Sequence, residues 1–202
     1  TSFSLATRML GPSIRQDIYN IYGFVRFADE IVDSFHDYNK EVLFERFERS
    51  LEEALLDGIS LNPILNSFQE TVRKYEIDKE LIDTFMASMR LDLTKSVYAT
   101  TEEFNEYIYG SADVVGLMCL KVFVKGNTDK YNQLKESAMS LGSAFQKVNF
   151  LRDLKEDHDN LSRTYFPNTN LDALDEISKE LIIEEIEENF SRGYQGILHL
   201  PH

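Results

Sequence analysis

The sequence has one cysteine, no tryptophan and no long apolar run. Cys119 therefore has no partner for a disulfide within the chain, and its apolar neighbours in 114–120 predict a small core residue, which fits a reducing compartment. That run ends after seven residues at Lys121, whereas a membrane-spanning helix needs about 20. No basic and then apolar leader opens the chain. We therefore expect a soluble, cytoplasmic protein.

Basic residues are also scarce, with 21 Lys and Arg against 35 Asp and Glu and a net charge of −14. This balance argues against a nucleic-acid partner and against a basic patch that would dock on anionic lipid. An anionic substrate would need metal ions as intermediaries. Because 43% of the 202 residues are apolar, the chain can build one well-buried core. We expect a single domain over residues 1–202.

The alternating pattern of a β-strand is missing, whereas the 3.6-residue period of an α-helix recurs along most of the chain. The predicted helices cover 11–35, 40–56, 63 onwards, 78–95, 100–126, 128–156 and 178–198, with a loop at 159–171. Thr100 and Glu103 form a capping box, and Asp78 and Thr128 are expected N-caps. Long helices with polar stripes predict an all-α bundle around a central cavity.

Two pairs of aspartates lie four residues apart on predicted helices, Asp29 with Asp33 and Asp153 with Asp157. Residues at this spacing share a helix face, so each pair directs two like charges to one spot and costs free energy without a cation. Each pair continues a polar stripe through a mostly apolar stretch. The stripes are Tyr22, Arg26, Asp29 and Asp33, and Gln146, Asn149, Asp153 and Asp157. The alternative is surface charge on an acidic protein.

Six segments of the chain resemble motifs of the squalene and phytoene synthases, the head-to-head isoprenoid synthases. They are 2–8, 21–33, 89–98, 107–118, 146–157 and 163–167. The form of the first acidic motif, the segment 89–96 and the Tyr165-Phe166-Pro167 sequence are more similar to phytoene synthases than to squalene synthases. The resemblance implies the helical isoprenoid-synthase fold.

The chain departs from the family pattern at two positions. Asp113 follows Ala112 where the family often has glycine, so we expect it to alter the cavity wall, and Lys155 also stands where glycine is common. The segment 196–201 resembles a point after which family members continue through further helices. We therefore expect a synthase domain that lacks the family's C-terminal helices.

The resemblance implies condensation of two geranylgeranyl diphosphates, through prephytoene diphosphate, to phytoene with release of diphosphate. It implies Mg²⁺, or Mn²⁺ in its place, as cofactor and a polyprenyl diphosphate as the partner. The carried-over roles are metal binding by Asp29, Asp33, Asn149, Asp153 and Asp157, diphosphate binding by Arg26 and Arg152, and substrate contacts by Ser2, Tyr22 and Gln146. The arginines could instead form salt bridges within their helices.

Four further positions match the family but are predicted to serve packing rather than chemistry: Tyr107, Tyr109, Arg163 and Tyr165. A rival function is a squalene or dehydrosqualene synthase that uses two farnesyl diphosphates, with NADPH needed only if squalene is the product. A rival of another class is a non-catalytic acidic helical module that binds basic partners. The greasy product leads us to expect peripheral contact with membrane.

Overall fold

The computed structural model describes the backbone of residues 2–95, 98, 100–156 and 176–201, and the side chains of 5–95, 98, 100–152 and 179–201. This part of the chain is helical and contains no strand, so the all-α prediction is confirmed. The α-helices are α1 Ser2–Arg8, α2 Pro12–Asp33, α3 Lys40–Asp57, α4 Pro63–Tyr75, α5 Lys79–Asp92, α6 Thr101–Ile108, α7 Val114–Phe123, α8 Thr128–Glu156 and α9 Glu176–Ile197.

Several helix ends follow from polar caps. Asn39 and Asn62 accept hydrogen bonds from the first turns of α3 and α4, and Thr100 accepts one from the Glu103 amide, as the capping box predicts. One cap prediction was wrong. Asn127 rather than Thr128 caps α8, because its side chain accepts from the Lys130 amide at 2.9 Å. Asp78 occupies the N-cap position of α5, as predicted, but its side chain makes no cap hydrogen bond.

The predicted helix over 100–126 is divided by a π-turn at Tyr109–Asp113, between α6 and α7. Glycines let neighbouring helices approach this region closely. A Cβ at Gly110 would lie 2.8 Å from the Ser88 Cβ of α5, and a Cβ at Gly116 would lie 2.7 Å from the Ala138 oxygen of α8. The π-turn adds a residue to one helical turn and so changes the helical register. Phe104 and Ile108 before it and Met118 after it are buried, whereas Ser111 within it is half-buried.

The main core lies between α2, α3, α4, α5 and α7. At its centre the rings of Phe24 and Phe68 stack at 3.9 Å, and Phe85 packs beside them. A second cluster joins α6, α8 and α9 through Phe104, Tyr107, Phe150 and their neighbours. Every helix in the described part of the chain is too short or too polar to cross a bilayer.

The apolar surroundings predicted for the two acidic stripes differ in burial. Ile31 and Val32 are buried beside the first pair of aspartates, as expected. On α8, however, Phe145 is 56% exposed and Val148 is 38% exposed. The apolar stretch predicted around the second stripe is therefore only partly buried on α8, where Ala144 and Phe150 are buried.

Candidate active site

The first acidic pair occupies the last turn of α2, which ends at Asp33 and contains no basic residue. The exposed carbonyls of a helix C-terminus carry partial negative charge, so two carboxylates are unfavourable there unless a cation neutralises them. Burial, followed by the negative charge of Asp33, raises the pKa of Asp29 from its ordinary 3.8 to about 6. The negative charge at the C-terminus of α2 therefore favours a bound cation.

Arg26 forms ion pairs with both Asp29 and Glu30, one turn further along α2. A hydrogen bond from Ser34, together with the positive charge of Arg26, holds the pKa of Glu30 below its ordinary value. The predicted salt-bridge alternative for Arg26 is therefore observed within α2. Its side chain is 51% exposed, so it also remains accessible to an anion.

The predicted stripe on α8 is described as far as residue 152. Gln146 and Asn149 are half-buried and Arg152 is exposed. Asp153 lies on α8, but its side chain is outside the described residues, and Asp157 lies wholly outside them. The predicted contact residue Tyr22 is half-buried on α2, and Ser2 begins α1, with its side chain also outside the described part.

The two helices that carry the acidic motifs both pack against α7, which places them in one bundle. Among the described side chains, no group of three or more histidine, cysteine or acidic residues is arranged to hold a metal ion. Asp29 and Asp33 thus provide a pair of carboxylates rather than a complete site. The second pair, which sequence analysis predicts as its complement, falls outside the described side chains.

A carboxylate and two tyrosines form a polar cluster that sequence analysis did not single out. Tyr107 donates a hydrogen bond to Asp92 at 2.7 Å and Tyr98 donates one at 3.1 Å, while the two rings lie 4.5 Å apart. Tyr107 also stacks on Phe150 of α8 at 5.9 Å. Tyr107 does pack, as predicted, but its hydroxyl belongs to this polar cluster. Because Asp92 and Tyr107 are 15 positions apart, the local sequence gives no signal of their contact.

Asp113 ends the π-turn and is buried, with 7% of its surface exposed. The Ser143 hydroxyl of α8 donates a hydrogen bond to it at 2.7 Å. Burial raises the pKa of Asp113 to about 6, against the opposing effects of Ser143 and the positive charge of Lys147. The family departure at this position therefore introduces a buried, ionisable side chain next to α8.

Two surface cavities, of about 450 and 180 Å³, lie beside α4 and contain none of the predicted site residues. The larger is lined by Gln69, Arg73 and their neighbours, and the smaller by Asn20, Ile64 and theirs. The candidate site is therefore the one predicted on α2 and α8, and neither cavity belongs to it.

The all-α bundle gives the fold class, and comparisons with known proteins give the family. The sequence model of the squalene/phytoene synthase family matches residues 1–196. The chain belongs to this family. Phytoene synthase 2 of Zea mays is 34% identical over 191 residues, which are 91% of this chain and 44% of that protein. Phytoene synthase of Arthrospira platensis is 30% identical over 200 residues, 94% and 64% of the two chains.

Solved structures share the fold. Squalene synthase HpnC from Alicyclobacillus acidocaldarius superposes with a TM-score of 0.83 at 21% identity, covering 98% of this chain and 79% of the other. A dehydrosqualene synthase in complex with ligand superposes with a TM-score of 0.86 at 21% identity, covering 100% and 74%. The chain thus spans about half to two thirds of the curated relatives above and about three quarters of these two structures.

Proposed function

We propose that the protein is a head-to-head prenyltransferase that condenses two geranylgeranyl diphosphates, through prephytoene diphosphate, to phytoene and releases diphosphate. The observation that carries the proposal is the Asp29 and Asp33 pair at the C-terminus of α2, where burial and like charge call for a cation. The identity of 30–34% to phytoene synthases favours this product over squalene.

Mg²⁺, or Mn²⁺ in its place, fits the residues present because carboxylate and amide oxygens are the ligands that hard divalent cations prefer. Asp29, Asp33, Asn149, Asp153 and Asp157 would hold it, and it would neutralise the charge that develops on the departing diphosphate. The protein side chains determine where these charges lie. The ionised aspartates on α2 would fix the position of the cation and therefore of the diphosphate end of the substrate.

Arg26 and Arg152 bind diphosphate oxygens in this proposal, because a guanidinium fork matches the geometry of phosphate. Arg26 would exchange part of its pairing with Asp29 and Glu30 for the substrate anion. Ser2, Tyr22 and Gln146 would contact the diphosphate or the intermediate. The prenyl chains would lie in an apolar central cavity that excludes water from the allylic cation.

Residues 1–202 would form one helical domain, and further C-terminal helices would complete the cavity. The two solved structures extend beyond the matched region by about a quarter of their length, which supports this proposal. We place the protein in the cytoplasm, with peripheral contact to membrane through its apolar product. Liposome flotation measures that contact.

A product assay tests the function directly. Purified full-length protein is incubated with geranylgeranyl or farnesyl diphosphate, with and without Mg²⁺ and NADPH, and both pyrophosphate and the extracted lipid are analysed. We expect Mg²⁺-dependent release of pyrophosphate and phytoene from geranylgeranyl diphosphate. Formation of squalene or dehydrosqualene from farnesyl diphosphate would contradict geranylgeranyl diphosphate as the substrate. We include this alternative because the two similar solved structures are a squalene synthase and a dehydrosqualene synthase. No pyrophosphate from either substrate would favour a non-catalytic module.

A further inference from the structure

A partly buried network of polar contacts joins the π-turn to α8 and α8 to α9. Asp113 and Lys147 are 7% and 4% exposed. The Ser143 hydroxyl donates to Asp113 at 2.7 Å, and the positive charge of Lys147 acts through space on the same carboxyl group. The Lys147 ammonium donates to Glu185 of α9 at 2.6 Å, and the Glu185 side chain is 54% exposed. Ser143 thus joins α8 to the π-turn, and Lys147 joins α8 to α9.

A network of this kind is a poor source of stability. Removing two charges from water costs free energy that their attraction often fails to recover, so apolar residues of similar size commonly serve at least as well. A buried charge needs a polar partner at a particular position. Buried charges therefore define the geometry of a contact better than apolar residues do. The orientation of α8 is the property that Asp113 and Lys147 can determine.

A close backbone contact between α8 and the π-turn, next to the network, also constrains the orientation of α8. A Cβ at Gly142 would lie 2.8 Å from the Ala112 oxygen and 3.1 Å from the Asp113 Cα, so α8 meets the π-turn with no side chain between them. Ser143 and Lys147, four residues apart, share one face of α8. The contact at Gly142 sets the distance between α8 and the π-turn, and the two polar side chains set the rotation of α8 about its own axis.

That rotation decides where the proposed substrate-binding stripe points. Gln146 immediately precedes Lys147, and Asn149 follows two residues later, so both turn with the helix. A side-chain tip about 6 Å from the axis moves by about 1 Å when the helix rotates by about 10°. A misplacement of about 1 Å in a site of this kind can cost about 10²-fold in rate.

We propose that Asp113 and Lys147 are positioning residues that fix the rotation of α8 and so direct Gln146 and Asn149 to the metal and diphosphate. The proposal rests on the proposed function, because it assigns the stripe to that ligand. Neither residue touches the substrate. Their effect passes through α8.

The experiment uses Asp113→Asn, which keeps the shape and the Ser143 hydrogen bond but removes the charge, Lys147→Met, and the double variant. Mn²⁺ affinity in the presence of inorganic pyrophosphate is measured by electron paramagnetic resonance, and melting temperature is measured in parallel. We expect each single variant to bind Mn²⁺ about tenfold more weakly, and the double variant to be no weaker than the singles. Arg192→Met is the matched control, because it removes one exposed pair with Glu188 on α9.

Melting temperatures that fall while Mn²⁺ affinity stays within twofold of wild type would overturn the positioning role and leave a structural one. If Asp113→Asn does not fold, Ser143→Ala removes only the hydrogen bond to Asp113 and should weaken Mn²⁺ binding about threefold. A wild-type protein that binds Mn²⁺ with pyrophosphate but releases none from prenyl diphosphates refutes the proposed function and leaves this test readable. A wild-type protein that does not bind Mn²⁺ with pyrophosphate overturns both proposals.

Discussion

Replacing Asp29 with Asn should stabilise the metal-free protein while it removes metal binding. At pH 7 the wild-type carboxylate is ionised in a place that disfavours charge, because it is partly buried and faces Asp33. The rise of its pKa from 3.8 to about 6 corresponds to about 3 kcal/mol at pH 7. Since the side chain is 34% exposed, solvent screening reduces the expected gain to about 1–2 kcal/mol.

The stabilisation by Asp29→Asn should be larger at pH 7 than at pH 5. The folded state holds the Asp29 proton more tightly than the unfolded state, so between pH 4 and 6 folding takes up a proton. The destabilising contribution of Asp29 is therefore fully present at pH 7 and is lost progressively as the pH falls from about 6 to 3.8. At pH 5 the folded carboxyl is mostly neutral while the unfolded one is still ionised, so Asp29→Asn should confer about half of its pH 7 gain.

The assay is thermal and urea unfolding of both proteins in EDTA at pH 7 and pH 5. A gain of about 1–2 kcal/mol should raise the melting temperature by about 3–6 °C at pH 7. Adding Mg²⁺ with pyrophosphate should raise the melting temperature of the wild type and not of the variant. Asp83→Asn is the control, because this exposed residue pairs with Lys79 at 2.6 Å and should give no gain at either pH. Destabilisation by Asp29→Asn at pH 7, or an equal gain at both pH values, would refute the reasoning.

Three other substitutions test separate contacts. Gly142→Ala should destabilise the protein by about 1–3 kcal/mol in urea unfolding, because its Cβ would lie 2.8 Å from the Ala112 oxygen, whereas Gly11→Ala meets nothing within 4 Å and should not. Arg26→Met should change stability by less than about 1 kcal/mol, since its pairs are half exposed, yet raise KM for the diphosphate; an unchanged KM would leave Arg26 a helix salt bridge. Tyr107→Phe should cost about 1–2 kcal/mol, because Asp92 loses its 2.7 Å donor, and an unchanged unfolding midpoint would contradict this.

Local sequence signals accounted for most of the helices and for the position of the first acidic motif. Helix periodicity and polar caps depend on residues within one or two turns, so α3 and the start of α4 were predicted closely. The same local patterns gave wrong predictions where tertiary packing determines the backbone conformation. Nothing near Gly110 in the sequence indicates that a close contact with Ser88 accompanies a π-turn, and α1 has too few residues to show a helical period.

The sequence by itself determined the all-α class, the four-residue spacing of the acidic pairs and the resemblance to one family, because these depend on residue types at short range. Tertiary structure decided which polar groups meet. Asp92 with Tyr107, and Asp113 with Ser143, are separated by 15 and 30 residues, and each pair forms only when different helices pack together. The raised pKa of Asp29 is likewise a property of packing, since burial is its largest cause and no sequence pattern states how much water a side chain loses.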